Sequence, residues 1–394
     1  MPSYLNALGL LCALGQGRQA VASALLAGDT RGMRSEDGWV DDRSLTVGAV
    51  PGELPALPFA TPAASRNLQL LLAAAQQIEP QIRSAITRYG AHRIGVLLGT
   101  STSGIDEASQ GIATFVRQGE LPASYHYAQQ EMAAPAIFLA DWLGLAGPAY
   151  CQSTACTSSA RALLSAHRLL EQGVCDAVLC GGVDSLCRLT LNGFSALEAV
   201  TAERCNPFSA NRNGINIGEG AALFLMTREE APIALFGGGA SSDAHHISAP
   251  HPEGRGALLA MRKALASAGV EAGQIDYLNL HGTATRHNDA MESLAVHALF
   301  PNGVACSSSK PMTGHTLGAA GALEAAFCWL TLSEDNAEGR LPPHLWDGQA
   351  DPELPALDLV RPDTRLRRSS GRRLMSNSFA FGGSNLSLII GDAP

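Results

Sequence analysis

Leu97-Leu98-Gly99-Thr100-Ser101-Thr102 is echoed further along the chain by Leu280-His281-Gly282-Thr283-Ala284-Thr285. Each stretch follows or ends an apolar, strand-like run and then turns through Gly and Thr. Well beyond the first lies Ser153-Thr154-Ala155-Cys156, which opens a helical pattern. Beyond the second lies Thr313-Gly314-His315-Thr316, which opens another. Motifs recurring in this order point to two related halves of one α/β fold. The halves meet near Arg228-Glu229-Glu230-Ala231-Pro232, dividing the chain into residues 1–230 and 231–394. On this reading Cys156 comes from the first half and both His281 and His315 from the second, so a site between the halves follows.

The surrounding pattern agrees with an α/β chain. Buried strands are expected at Arg93 to Leu98, Ala177 to Cys180, Ala221 to Leu225 and Leu386 to Ile390. Leu5 to Leu14 reads as a first strand and turn, too short and without a basic leader for a signal peptide. Helices are expected over Leu68 to Arg88, Ser159 to Glu171, Gly256 to Ala268, Asp289 to Leu299 and Ala319 to Leu332. The chain has 394 residues, 46% of them hydrophobic and 16% charged, enough to bury a large core. Its net charge of −9 argues against a nucleic-acid partner, and no membrane-spanning run is visible. Nine cysteines without a CxxC pair read mostly as buried, reduced thiols of a cytoplasmic protein. There is no HExxH, no Walker loop and no dinucleotide-binding glycine motif, and Gly214 to Gly220 has the wrong spacing for one. Neither a metal nor a bound cofactor is called for.

Three residues carry the chemistry. Cys156 falls at the start of a helical pattern in which Ala160, Leu163, Leu164 and Leu170 recur and Gly173 stops the helix. A helix N-terminus favours a thiolate through its unpaired N–H groups and dipole, which makes Cys156 a candidate nucleophile. Small neighbours, Ala155 and Ser158, leave room for an acyl chain. His281 and His315 sit in Gly- and Thr-rich turns that can aim an imidazole into a cleft. Two neutral imidazoles can donate hydrogen bonds to one thioester oxygen and stabilise an enolate as charge develops. Lys310 and Glu324 flank His315 in sequence, and such a pair can orient an imidazole and keep it neutral. His167, His297 and His344 lack comparable contexts and read as structural or surface residues.

These motifs resemble the elongating β-ketoacyl-[acyl carrier protein] synthases, condensing enzymes of the thiolase superfamily. The resemblance spans nearly the whole chain. It rests on Thr154-Ala155-Cys156, on Ser241-Ser242-Asp243-Ala244-His245-His246-Ile247-Ser248-Ala249-Pro250, on the two histidine motifs, and on Asn377-Ser378-Phe379-Ala380-Phe381-Gly382-Gly383-Ser384-Asn385. It implies a thiolase-like, five-layered αβαβα fold of two duplicated halves, usually a homodimer, with a heterodimer as the alternative. An acyl carrier protein is the implied partner, and substrates ride on its phosphopantetheine. The implied reaction loads an acyl chain onto Cys156 and condenses it with decarboxylating malonyl-[acyl carrier protein]. By motif match, His281 and His315 assist decarboxylation and condensation, and Lys310 with Glu324 is the supporting ion pair. Thr283 and Thr285 bind the pantetheine arm, with Ser248 and Phe379 as further substrate contacts. The amides of Cys156 and Phe381 form the oxyanion hole, and Phe381 is the gate.

Three departures qualify the match. Arg286-His287-Asn288-Asp289 replaces the usual Pro-x-Gly-Asp, although Asp289 and Glu292 keep the acidic pair of that helix start. The segment between Phe194 and Gly214 is shorter than usual, with Cys205-Asn206-Pro207-Phe208-Ser209 in place of a more charged loop. Ala380 replaces a glycine, and because alanine reaches positive φ only at a cost, a stiffer gate is expected. Together they suggest a specialised, polyene- or polyketide-like pathway more than housekeeping fatty-acid synthesis. A degradative thiolase would use a second cysteine in a C-terminal Cys-x-Gly, whereas the last cysteine here is Cys328. An initiating synthase is disfavoured by His315, and a Cys-His hydrolase leaves the second histidine and Phe381 unexplained. A partner subunit such as a chain-length factor typically lacks the nucleophile. For carrier docking, the cluster Arg365, Arg367, Arg368, Arg372 and Arg373 and the separate Arg66 are the candidates.

Overall fold

The computed structural model describes residues 2–393. Five strands of the first half are β1 (Ser3–Cys12), β2 (Ile94–Gly99), β3 (Ala149–Gln152), β4 (Ala177–Asp184) and β5 (Gly220–Thr227). Five of the second are β6 (Ile233–Ser242), β7 (Tyr277–Asn279), β8 (Ala305–Ser307), β9 (Arg373–Phe379) and β10 (Ser384–Asp392). The first set runs in the order β3-β2-β4-β5-β1 and the second in the order β8-β7-β9-β10-β6. In both, the first three strands are parallel and the last two pairings antiparallel. The same order with the same directions, twice over, is the duplication that the sequence echo announced. The two half-sheets touch only at one corner, where Ser3 and Tyr4 pair with Leu235 and Ala234.

Five layers follow from where the helices pack. Helices α1 (Arg66–Gln76) and α2 (Ala134–Leu143) cover the outer face of the first half-sheet. Helices α4 (Arg255–Ala268) and α5 (Arg286–Leu299) form the other outer layer, with α4 directly on the second half-sheet. Between the sheets lie α3 (Ser158–Glu171) and α6 (Ala320–Leu332), one from each half. Every residue of α6 is buried, as expected of a helix with a sheet on either side. Strands β4 and β5 are buried along their whole length, so they read as continuous apolar runs rather than alternating ones.

The expected strands and helices are present, with one consequential change. The run Leu68 to Arg88 is two helices, α1 and a second one at Glu79–Tyr89. Pro80 lies in the first turn of the second helix, where its missing N–H is harmless, but it would break a helix running through. At the break, Gln77 caps the edge of β1: its side chain accepts from Leu10 N at 3.0 Å and donates to Leu10 O at 3.1 Å. All nine cysteines are free thiols, and all except Cys151 are buried. Among the described residues no helix is long and apolar enough to cross a membrane.

The central helices are as close as two backbones allow. A Cβ built on Gly321 of α6 would lie 2.6 Å from the Ala160 Cβ and 2.8 Å from the Ala160 N of α3. Gly321→Val should therefore force the two helices apart and cost about 1–3 kcal/mol in chemical denaturation. A stability within error of wild type would show that this contact is not the tight point it looks to be.

Candidate active site

Each half delivers one candidate reactive group ahead of its central helix, and the second half adds His281 just after β7. Cys156 stands one residue before Thr157, the N-cap of α3, and Ala155 before it adopts a left-handed φ of 51°. His315 stands just before the short turn Leu317–Ala319 that leads into α6, and Leu317 has the matching φ of 51°. The packing of these two segments puts Cys156 Sγ 2.9 Å from His315 Nε2. The His281 ring lies edge-on to the His315 ring, centroids 5.2 Å apart at 84°. One donor atom from each of Cys156, His281 and His315 falls within 4.8 Å of the others, and all three residues are buried. The sequence-predicted triad therefore converges.

The scaffolding of His315 was not read from sequence. Its N–H donates to Asn216 O at 2.7 Å, and its carbonyl accepts from Gly218 N at 3.0 Å. Asn216 in turn spends its whole amide on the loop around Cys205. It accepts from Cys205 N at 2.7 Å and donates to Glu203 O at 2.7 Å and Thr201 O at 3.2 Å. A Cβ on Gly218 would sit 2.1 Å from Thr313 O, so only glycine lets this segment lie against the histidine turn. The glycine-rich run Gly214 to Gly220, wrongly spaced for a nucleotide, is this cradle. Its buried polar Asn between glycines was the available signal.

Lys310 is buried, pairs with Glu324 of α6, and donates to the carbonyl of His281. Burial, and then the Lys310 charge, hold both imidazoles well below the ordinary histidine range, so both are neutral. Burial pushes Glu324 up to about 7, opposed by Lys310. The Nδ1 atoms of His281 and His315 are buried without a hydrogen-bond partner. Behind His281, Glu292 accepts from the N–H groups of His281 at 2.8 Å and Gly282 at 2.7 Å. Asp289 accepts from Phe208 N at 2.8 Å and Ala284 N at 3.2 Å. Two departures, the 205–209 loop and the rebuilt turn at 286–289, thus touch each other and brace one another.

Two expectations change. The helix start was expected to favour a thiolate, yet burial dominates and pushes the Cys156 thiol up to about 12. Lys310 and the N–H groups of Cys156 and Phe381, which face the sulfur, only partly oppose this. The gate is not strained at Ala380, which is absent from the left-handed residues; the positive φ values belong to Gly382 at 83° and Gly383 at 77°. Gly382 N donates to Ile247 O at 2.8 Å, which ties the gate loop to the Ser241–Pro250 loop. The half-buried Phe381 ring rests on Phe194 at 5.5 Å.

A cavity of about 630 Å³ opens onto the triad and is lined also by Phe379, Phe381, Ser248, Thr283 and Thr285. Thr283 and Thr285 share a hydroxyl contact of 3.0 Å at its wall, and the Phe379 ring stands edge-on to His281 at 6.1 Å. The rebuilt turn places Arg286 and His287 on the wall, the Ser241 to Pro250 motif adds His246, and Phe194 and Ile215 also line it, of which Ile215 was not singled out from sequence. Lys310 and Glu324 lie behind the cavity. Five of the six basic residues proposed for docking have partners within the chain, and the sixth, Arg367, is exposed. Arg66 pairs with Glu219 at 2.5 Å, while Arg365, Arg368 and Arg372 pair with Glu338, Asp276 and Asp392. Arg373 lies over the Phe236 ring at 3.8 Å. His344, read as structural, is buried between Ser308 N at 3.2 Å and Pro207 O at 3.1 Å.

Comparison with known proteins places this geometry. Residues 58–231 match the N-terminal domain of the β-ketoacyl synthases and residues 234–345 their C-terminal domain. The chain is 32% identical over 342 residues to 3-oxoacyl-[acyl-carrier-protein] synthase 2 of Synechocystis sp., covering 82% of this chain and 80% of that protein. Among solved structures it is similar to a chain of the complex of ketosynthase ApeO with its chain length factor ApeC from Xenorhabdus doucetiae. That match has 47% identity and a TM-score of 0.94 over 100% of this chain and 98% of that one. The ishigamide ketosynthase/chain length factor matches at 26% identity with a TM-score of 0.88, over 100% of this chain and 99% of that one. With the twice-repeated sheet, the buried Cys-His-His centre and these matches, the chain belongs to the β-ketoacyl synthase family, with its thiolase-like fold.

Proposed function

We propose that this protein catalyses decarboxylative Claisen condensation between an acyl group on Cys156 and malonyl-[acyl carrier protein], releasing CO2 and 3-oxoacyl-[acyl carrier protein]. The observation that carries the reading is the Cys156–His315 contact of 2.9 Å with His281 edge-on beside it. No cofactor is needed, since the acyl groups arrive on phosphopantetheine. The setting is the cytoplasm. The nucleophile belongs to residues 1–230, and both imidazoles belong to residues 231–394.

In the first half-reaction the Cys156 proton passes to His315 as sulfur attacks the acyl thioester. The N–H groups facing the sulfur, those of Cys156 and Phe381, hold the oxyanion. The proton then leaves with the pantetheine thiolate, which regenerates neutral His315. Burial favours the resting thiol over the thiolate, which fits a proton transfer coupled to attack. In the second half-reaction the malonyl thioester loses CO2. The two neutral imidazoles, His315 now as its Nε2–H tautomer, donate to its oxygen as the enolate forms. The enolate carbon attacks the acyl carbonyl, expelling the Cys156 thiolate, which takes up a proton from solvent to restore the thiol. Lys310 and Glu324 are positioning residues behind the imidazoles. Thr283, Thr285, Ser248 and Phe379 guide the arm.

The partner we favour is a second chain of the same fold, a chain length factor, as in the complex of ApeO with ApeC. It would sit along β3. That strand ends the sheet, every residue of it is partly exposed, and its outer edge has no strand beside it among the described residues. The opposite end is blunted by the two-residue strand Asp358–Leu359. Exposed Ile112, Phe115, Val116 and Leu189 add apolar surface on helices at Ile105–Gln118 and Arg188–Ala196 of the same half. The pathway is a specialised, polyene- or polyketide-like one, supported by the greater likeness to ApeO–ApeC than to a 3-oxoacyl-[acyl-carrier-protein] synthase 2.

Carbon dioxide release from malonyl-[acyl carrier protein], with an acyl-primed enzyme, tests the reaction directly. His281→Ala should lower it roughly a hundredfold or more while Cys156 still accepts acyl groups. Cys156→Ala should abolish the 3-oxoacyl product, and product formation by that variant would exclude the mechanism. The acid limb of the decarboxylation profile should lie below the pH near 6.5 at which an ordinary histidine charges, because burial and Lys310 depress both imidazoles. A limb at or above that pH would show that burial and Lys310 do not hold the imidazoles below the ordinary histidine range. Efficient growth of saturated housekeeping chains in a reconstituted system would overturn the pathway assignment.

A further inference from the structure

The geometry points to a second ligand for the Cys-His-His centre: we propose that Cys156, His281 and His315 form a chelating site for a thiophilic divalent cation such as zinc, which blocks acyl loading. The three donor atoms lie within 4.8 Å of one another. Zinc–sulfur and zinc–nitrogen bonds of about 2.3 and 2.0 Å in a tetrahedral site place donors about 3.3–3.6 Å apart. The 2.9 Å between Cys156 Sγ and His315 Nε2 must open by about 0.6 Å, and donors as far apart as 4.8 Å must close by about 1 Å, to reach that spacing. Sulfur and imidazole nitrogen are both zinc donors, and three protein ligands leave a fourth tetrahedral position open.

Some of the surroundings favour this and some oppose it. No protein group hydrogen-bonds either Nδ1, so a change of tautomer breaks no hydrogen bond there, but a metal-bound ring is left with an unpaired Nδ1–H. The fourth position opens on the cavity wall made by Phe379, Thr283 and Phe381, where water or chloride can complete the tetrahedron. Binding exchanges one proton for the metal: the Cys156 S–H bond breaks, the S–metal bond forms, and the proton goes to buffer. No redox step is involved. The Lys310 ammonium beside the site opposes the cation, and its buried partner Glu324 offsets that charge only in part.

The acyl enzyme lacks the free sulfur, so the same chemistry makes the acylated state resistant. Metal would then capture only protein waiting for a chain.

Cobalt(II) titration of the chelator-stripped protein under anaerobic conditions tests the site without using activity. One equivalent should give a near-ultraviolet thiolate-to-cobalt band. The band should be lost after iodoacetamide alkylation of Cys156, in Cys156→Ser, and in His315→Ala. Circular dichroism melts establish that each variant is folded, and the alkylated wild-type chain needs no variant at all. Persistence of the band in alkylated protein, or no band at equimolar cobalt, overturns the proposal. In a parallel arm, equimolar zinc should lower acyl loading about tenfold, with recovery on adding EDTA. Pre-acylated protein should gain no zinc on equilibrium dialysis. This arm rests on Cys156 being the acyl acceptor, whereas the cobalt spectrum does not, so the two readings fail separately.

Discussion

Ala160 and Gly321 meet at the centre of the molecule with no room for one more carbon between them. That contact fixes the spacing of α3 and α6, and those helices carry the two reactive starts. Cys156 and His315 are therefore held together by the packing of two central helices and not by a mobile loop. The half-sheets on either side act as clamps. Backbone pins complete the arrangement, with Asn216 and Gly218 holding His315 at both its N–H and its carbonyl. A contact of 2.9 Å between groups far apart in sequence needs this kind of over-determination.

Behind that geometry lies a buried ion pair whose role is electrostatic more than stabilising. Removing Lys310 and Glu324 from water costs free energy that their mutual attraction only partly repays. In exchange, a fixed positive charge sits beside two imidazoles that must stay neutral donors. The same burial disfavours a resting thiolate at Cys156. Stability and readiness are set against each other at one centre.

The sequence made the fold legible through its internal echo, because glycine- and threonine-rich turns recur where equivalent strands end. It made the triad legible because Cys156, His281 and His315 stand in uncommon local settings. What it hid was long-range. Nothing near Asn216 says that its backbone will meet His315, since the contact depends on how the two halves dock. The break at Gln77 was hidden for a similar reason: its side chain caps β1, a partner distant in sequence. The helix-start argument for a thiolate failed because local dipoles compete with burial, and burial is a property of the whole fold. Ala380 misled because a glycine elsewhere was assumed to be needed for its φ, while Gly382 and Gly383 take the left-handed turn.

The two ends of the sheet differ, and the difference governs how large an assembly can grow. A chain with two open edges can add copies at both and run on into a fibre. Here the Asp358–Leu359 end is blunt and only the β3 end is available. Once that end is taken by another molecule offering its own β3-like edge, neither has a free edge left. Association is then self-limiting, a closed pair by geometry alone, and a hydrophobic, sheet-rich protein is kept from the open-ended aggregation its composition invites.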